Sequence, residues 1–180
     1  MADNISCIVL ITGGARSGKS NYAQNLALSL SNKPVYVATA KDWGGDFTDR
    51  IIRHKNDRTS NWINFETEKY VSALPIDGKI CVIDCVTLWL TNFFIEHKND
   101  ITLALEDFKN EIDNLSHKSG TFIIVTNEIG MGVHAETQVG RLFTDLQGWA
   151  NQYVAAKATE VILMVSGIAL TIKKQYVNGQ

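Results

Sequence analysis

The residues best suited to chemistry lie in a glycine-rich segment near the start of the chain. This segment, which follows the apolar run 7–11 directly, comprises Gly13, Gly14, Ala15, Arg16, Ser17, Gly18, Lys19 and Ser20. Its pattern, G-x-x-x-x-G-K-[ST], is typical of loops whose backbone N–H groups surround a polyphosphate, with Lys19 adding positive charge and Ser20 able to ligate Mg²⁺. A simple turn between a strand and a helix is the alternative. The position at such a junction favours a nucleoside triphosphate site.

Further candidate residues follow the other apolar runs of the chain. In an open α/β sheet, ligands collect at the carboxyl ends of the strands. The residues at those positions are Ala38, Thr39, Ala40, Asp84, Asn127 and Glu128. Asp84 ends its run in the manner of the acid that holds Mg²⁺ beside a phosphate loop, so we expect Ser20 and Asp84 to share one ion. The alternative is that Asp84 caps a helix that begins near Leu88.

A basic segment, residues 49–58, contains a histidine between arginines. Helical spacing would stack Arg50, His54 and Arg58 in one row, at a cost of about 0.2–0.5 kcal/mol for each like-charge pair, unless an anion such as a triphosphate binds there. Flanking cations favour the neutral imidazole, whose free nitrogen could attack phosphorus. Taken alone, such a segment is more often a solvated basic face. The other histidines, at positions 97, 117 and 134, are expected to lie at the surface.

Length and composition limit the class of protein. The 180 residues, 45% of them hydrophobic, suit one domain over residues 1–180 with a full-sized core. The net charge of −2 argues against a broad cationic surface for nucleic acid. Cys7, Cys81 and Cys85 lie in apolar runs, which favours buried, reduced thiols. No window approaches the roughly 20 apolar residues of a membrane span, so we expect a soluble, cytoplasmic protein.

Short β-branched runs alternate with helical patterns, which predicts a mostly parallel sheet flanked by helices. The predicted strands are residues 7–12, 35–40, 80–85, 122–126 and 161–165, and the predicted helices are 19–30, 101–115 and 136–158. The run 169–173 follows too soon for a helical crossover, which predicts an antiparallel C-terminal edge hairpin. The expected fold class is α/β, a single-domain P-loop NTPase of the RecA-like type.

Several stretches together resemble one known family. They are 12–20 (TGGARSGKS), 37–40 (VATA), 50–58 (RIIRHKNDR) with Trp62, 126–132 (TNEIGMG), 148–152 (GWANQ) and 165–168 (VSGI). In this combination they resemble the bifunctional adenosylcobinamide kinases and adenosylcobinamide-phosphate guanylyltransferases of cobalamin biosynthesis. The most specific pieces are the form of the phosphate loop, the R-I-x-x-H-K-x-x-R run and N-E-x-G-M-G. The resemblance spans nearly the whole chain.

The resemblance implies a transferase that catalyses two steps with Mg²⁺ as cofactor. The kinase step would use ATP or GTP, and the guanylyl step would use GTP. A nucleoside triphosphate would phosphorylate adenosylcobinamide, and GTP would then place GMP on a histidine that passes it to adenosylcobinamide phosphate, giving adenosylcobinamide-GDP. The guanylylated histidine of the family falls on His54, so the resemblance favours a catalytic role for this residue over a solvated basic face. Lys19 in the phosphate loop is the second residue expected to be catalytic. Nucleotide contacts of the family fall on the loop 13–20, on Ala38, Thr39, Ala40, Lys55, Asn56, Asp57, Arg58 and Glu66, and on Asp84.

The resemblance also implies a homo-oligomer, with a trimer expected. Trp89, Phe93 and Phe94 would suit an interface as well as a core. The loop 41–47 is either a lid or an ordinary exposed turn. Two rival functions stay open: a plain P-loop kinase without a covalent histidine step, and a RecA-like switch whose nucleotide hydrolysis moves a partner.

Overall fold

The computed structural model of the chain describes residues 6–40 and 61–175. The basic segment 49–58 and the loop 41–47 lie outside the described residues. The predictions for His54, Lys55, Asn56, Asp57 and Arg58 therefore stay predictions.

A seven-stranded sheet forms the centre of the fold, in the order β3-β2-β4-β5-β1-β6-β7. The strands are β1 Ser6–Gly13, β2 Val35–Ala38, β3 Ile63–Glu66, β4 Lys79–Asp84, β5 Gly120–Val125, β6 Glu160–Val165 and β7 Ile168–Lys174. All neighbours pair in parallel except β6 and β7, which are antiparallel. Ser166 and Gly167 both have positive φ (51° and 83°), as a tight two-residue hairpin turn requires. The predicted edge hairpin is confirmed.

The sequence missed one strand, β3. Its four residues alternate between half-buried Ile63 and Phe65 and exposed Asn64 and Glu66. So short an alternation is a weak signal by itself. Parallel pairing with β2 specifies this strand, with Ile63 opposite Val35 and Glu66 opposite Ala38.

Four α-helices occur in the described parts of the chain: α1 Lys19–Leu30, α2 Val86–Glu96, α3 Ile101–Ser116 and α4 Gln138–Lys157. Asp100 caps α3 by accepting hydrogen bonds from the backbone N–H groups of Thr102 and Leu103, and Thr137 caps α4 in the same way. By contrast, Gly18 begins α1 with no side-chain cap. The first turn of α1 therefore keeps backbone donors available for a ligand.

The helices cover both faces of the sheet. Residues of β1 alternate between the faces, so Leu10 joins a cluster with Trp89 of α2 and Phe108 of α3, while Ile11 joins a cluster with Ala23 of α1. Burial on both faces explains why the central strands are continuous apolar runs. Trp89, Phe93 and Phe94 are buried in the first cluster, so in this chain they form core rather than an exposed interface.

The three cysteines are free thiols. Cys81 and Cys85 are buried, and burial raises the pKa of each to about 12, so both thiols are protonated and unreactive at neutral pH. Cys7 is half-buried and shares a hydrogen bond with the Thr159 hydroxyl. Within residues 6–40 and 61–175, no helix has the length and apolar character needed to cross a membrane.

Removing the Phe108 side chain should destabilise the fold strongly. Phe108 is fully buried and meets the Trp89 ring edge-on, with 5.1 Å between ring centroids. Phe108→Ala should lower the free energy of unfolding by about 3–5 kcal/mol because it leaves a cavity. Urea unfolding followed by circular dichroism measures this. Leu103→Ala on the same helix is the control, because Leu103 is half-exposed; similar losses in both variants would contradict the prediction.

Candidate active site at the carboxyl edge of the sheet

The glycine-rich segment forms the loop between β1 and α1, and the β6–β7 hairpin holds it. A Cβ on Gly13, whose φ is +147°, would lie 2.4 Å from the Met164 carbonyl oxygen, so only glycine fits there. The Gly167 N–H of the hairpin turn donates to the Ser17 carbonyl at 3.0 Å. The start of the loop therefore lies directly against β6 at Met164, and Ser17 within the loop is tied to the turn that follows β6.

Lys19 places its ammonium group inside this loop. The side chain is only 7% exposed, and Nζ donates to the Gly14 carbonyl at 2.5 Å and to Ser17 Oγ at 3.4 Å. Burial lowers the pKa of Lys19, and the nearby negative charges of Asp84 and Glu128 oppose that shift. An ammonium held in this way can bind phosphate oxygens as a point charge. Ser20, the next residue, lies half-buried in the first turn of α1.

Asp84 ends β4 and lies within electrostatic range of Lys19. The Tyr36 hydroxyl donates to its Oδ2 at 2.8 Å, which orients the carboxylate and leaves Oδ1 as an acceptor. The alternative prediction, that Asp84 caps the following helix, is wrong: the residue at the N-cap of α2 is Cys85, and α2 has no side-chain cap. Asp84 is thus oriented by a strand neighbour and is not used by the helix.

Ser20 and Asp84 supply the kind of oxygen atoms that Mg²⁺ prefers. Mg²⁺ usually takes one or two protein oxygens and completes its octahedron with water and substrate phosphates. Among the described residues, no group of three or more His, Cys, Asp or Glu side chains forms a metal cage. The available donors fit an ion that arrives with a nucleotide.

The ends of β2 and β3 bring the remaining described candidates to the same edge. Ala38 lies in register between Glu66 of β3 and Asp84 of β4. Thr39 is fully buried; its N–H donates to the Asp84 carbonyl at 3.2 Å and its hydroxyl to the Cys85 carbonyl at 2.8 Å. Ala40, the next residue, is half-buried, whereas Glu66 is exposed at its strand end.

Sequence reasoning noted Glu128 as a strand-end residue but gave it no role, and it missed the polar network around it. The Thr12 hydroxyl and Asn151 Nδ2 both donate to Glu128 Oε1, at 2.5 and 3.2 Å. Asn151 in turn accepts from the Thr126 hydroxyl and from Gln147 Nε2. One signal could have revealed it: Gln147 and Asn151 are four residues apart on the face of α4 that also carries buried Leu146 and Ala150.

A family model described as cobinamide kinase / cobinamide phosphate guanyltransferase matches residues 9–172. The chain belongs to this family. It is 34% identical to the bifunctional adenosylcobalamin biosynthesis protein CobU of Escherichia coli (strain K12), over 92% of this chain and 99% of that protein. It is 32% identical to the protein CobP of Pseudomonas aeruginosa, which carries the same bifunctional description, over 91% of this chain and 96% of that one.

The family assignment confirms the resemblance and the prediction that the chain is an enzyme, a transferase of the kinase and guanyltransferase type. Solved structures support the predicted fold. A KaiC-like protein of Pyrococcus horikoshii superposes with a TM-score of 0.51 at 15% identity, over 97% of this chain and 82% of that one. Another protein of that organism gives 0.54 at 9% identity, over 94% and 87%. This member of the cobinamide kinase family thus has a P-loop NTPase fold.

Loss of the Lys19 ammonium should weaken nucleotide binding. In Lys19→Met we expect the Kd for GTP to rise about 10- to 150-fold, which corresponds to the roughly 1.5–3 kcal/mol of charge-assisted hydrogen bonds. Titration with a fluorescent GTP analogue measures this. Lys33→Met removes an exposed lysine before β2 and serves as the control. Equal affinities in the two variants would show that Lys19 does not bind the phosphates.

Proposed function

We propose that this chain phosphorylates adenosylcobinamide with a nucleoside triphosphate and then transfers GMP from GTP to the product, giving adenosylcobinamide-GDP. The observation that carries this proposal is the family match over residues 9–172, which includes both the phosphate loop and the basic segment 49–58. The relatives in Escherichia coli and Pseudomonas aeruginosa are named as bifunctional proteins of adenosylcobalamin biosynthesis.

The geometry of the phosphate loop supports the kinase step. Phosphoryl transfer needs positioning and charge neutralisation more than covalent help from the protein. The buried ammonium of Lys19 and the uncapped first turn of α1 supply positive potential at one place. In our proposal Ser20 and Asp84 hold Mg²⁺, which supplies further neutralising charge to the phosphates when it is bound.

The guanylyl step is assigned to His54. Its imidazole nitrogen forms a bond to the α-phosphorus of GTP while the bond to the α–β bridging oxygen breaks, and pyrophosphate leaves. A phosphate oxygen of the corrinoid then attacks the same phosphorus and the P–N bond breaks, which regenerates the imidazole. A covalent intermediate divides a displacement between two large anions into two simpler ones, so GTP and the corrinoid phosphate need not be aligned together.

The remaining assignments follow the family pattern. Lys55, Asn56, Asp57 and Arg58 would contact GTP beside His54, and the carboxyl ends of β2 and β3 would contribute Ala38, Thr39, Ala40 and Glu66. The assignments at β2 and β3 are supported by the position of these strand ends, which lie at the same edge of the sheet as Asp84. We further propose a single domain over residues 1–180, assembly as a homotrimer and a cytoplasmic location.

Replacing His54 should abolish the covalent intermediate and spare the kinase. After incubation with Mg²⁺ and GTP labelled at the α-phosphate, the wild-type chain should carry an acid-labile, alkali-stable label, because a phosphoramidate hydrolyses in acid. Mass spectrometry should find the GMP increment on the peptide that contains His54. His54→Ala should lose the label and the transfer of GMP but still phosphorylate adenosylcobinamide.

His117→Ala is the matched control, since His117 is an exposed histidine at the end of α3. It should keep full labelling. Guanylyl transfer at the wild-type rate by His54→Ala would rule out the covalent step and leave a plain kinase.

A further inference from the structure

Glu128 is a carboxylate at the carboxyl edge of the sheet that has no role in the proposed binding of nucleotide and Mg²⁺ or in guanylyl transfer. It follows β5, the strand that lies between β1, which leads into the phosphate loop, and β4, which ends at Asp84. Its backbone N–H donates to the Gly13 carbonyl at 3.2 Å, which ties it to the first glycine of the loop. The position is therefore fixed relative to the place where the loop would hold phosphates.

Among residues 6–40 and 61–175, the hydrogen bonds to the Glu128 side chain are all made to one of its oxygens. The Thr12 hydroxyl at 2.5 Å and Asn151 Nδ2 at 3.2 Å both donate to Oε1, so Oε2 stays available as an acceptor. The anchor is rigid because Asn151 is buried and its own oxygen accepts from Thr126 and Gln147. Asn151 Nδ2 also donates to the Asn127 carbonyl at 3.0 Å, so a side chain of α4 is hydrogen-bonded to the backbone next to Glu128 as well.

Glu128 lies within electrostatic range of Lys19. Burial lowers the pKa of Lys19, and Glu128 is among the groups close enough to oppose that shift. Unlike Asp84, Glu128 is not one of the residues that we assign to the Mg²⁺ ion. An anchored carboxylate with one free oxygen, beside the lysine that would bind the phosphates, suits a group that receives a proton from an attacking hydroxyl.

We propose that Glu128 accepts the proton of the acceptor hydroxyl during phosphoryl transfer. This inference rests on the proposed function. The hydroxyl oxygen of the corrinoid side chain forms a bond to the γ-phosphorus, and its proton moves to Glu128 Oε2. The bond from the γ-phosphorus to the β–γ bridging oxygen breaks, and the electron pair leaves with the nucleoside diphosphate. Thr12 acts as a positioning residue, because it reaches the substrate only through Glu128.

The test compares Glu128→Gln with the wild-type chain in three assays: phosphorylation of adenosylcobinamide, binding of GTP, and labelling of the enzyme by GTP marked at the α-phosphate. Glutamine keeps an oxygen that accepts from Thr12 and Asn151 but offers an amide where the free oxygen was. We expect kcat for phosphorylation to fall about 10²- to 10⁴-fold, while GTP affinity and labelling change by less than about threefold.

Two further variants separate proton transfer from a structural role. Thr12→Val removes one of the two anchors of Glu128 but keeps the carboxylate itself; it should lower kcat by only about tenfold and leave the affinity for GTP unchanged. Glu106→Gln, at an exposed carboxylate of α3, is the matched control and should behave as wild type.

The inference is overturned if Glu128→Gln phosphorylates adenosylcobinamide at the wild-type rate, or if it loses GTP binding and labelling in parallel with kinase activity. In either case the wild-type chain still performs the reaction, so the proposed function stands. If the wild-type chain itself fails to phosphorylate adenosylcobinamide, the proposed function and the role of Glu128 both fail.

Discussion

The buried ammonium of Lys19 is the interaction on which the rest of the site depends. Its side chain is 7% exposed, and a charge at that depth is costly unless polar groups surround it. The loop carbonyl of Gly14 and the Ser17 hydroxyl meet part of that need, and the carboxylates of Asp84 and Glu128 lie within electrostatic range. None of these neighbours neutralises the ammonium through a direct ion pair in the described residues, so the site keeps an attraction for an anion. Polyphosphate is the anion that the uncapped helix behind the loop also favours.

Strand order brings further candidate site residues to the same edge of the sheet as Lys19. Because β5 lies between β1 and β4, the carboxyl ends of three adjacent parallel strands deliver the phosphate loop, Glu128 and Asp84 to one edge. The next strands outward, β2 and β3, add Ala38 and Glu66 at the same edge. The candidate residues are therefore distributed over strand ends that the core holds in place, an arrangement that suits phosphoryl transfer, where positioning is the main contribution of the protein.

The sequence predicted those parts of the fold that have strong local signals. The central strands are apolar runs because both sheet faces are buried, and α3 and α4 have clear helical spacing. It missed β3, whose four residues depend on pairing with β2, and it noted only the start of α2, because a helix buried on most sides has no amphipathic period. For the site, residue types and strand ends were enough to select Asp84 and the loop. They could not reveal that Thr12 and Asn151 meet at Glu128, since those contacts join residues 116 and 23 positions apart.

The polar pair on α4 shows how the core and the site are coupled. Gln147 and Asn151 are buried on a helix face that otherwise packs apolar side chains, and Gln147 Oε1 has no hydrogen-bond partner among the described residues. An unsatisfied buried oxygen costs about 1–3 kcal/mol, so an apolar side chain of similar shape at position 147 would serve the core better. The pair is explained by what it holds: Gln147 orients Asn151, and Asn151 fixes Glu128 and the backbone of Asn127. A protein selected only for stability would not keep this arrangement, whereas one that must hold a carboxylate beside a phosphate loop would.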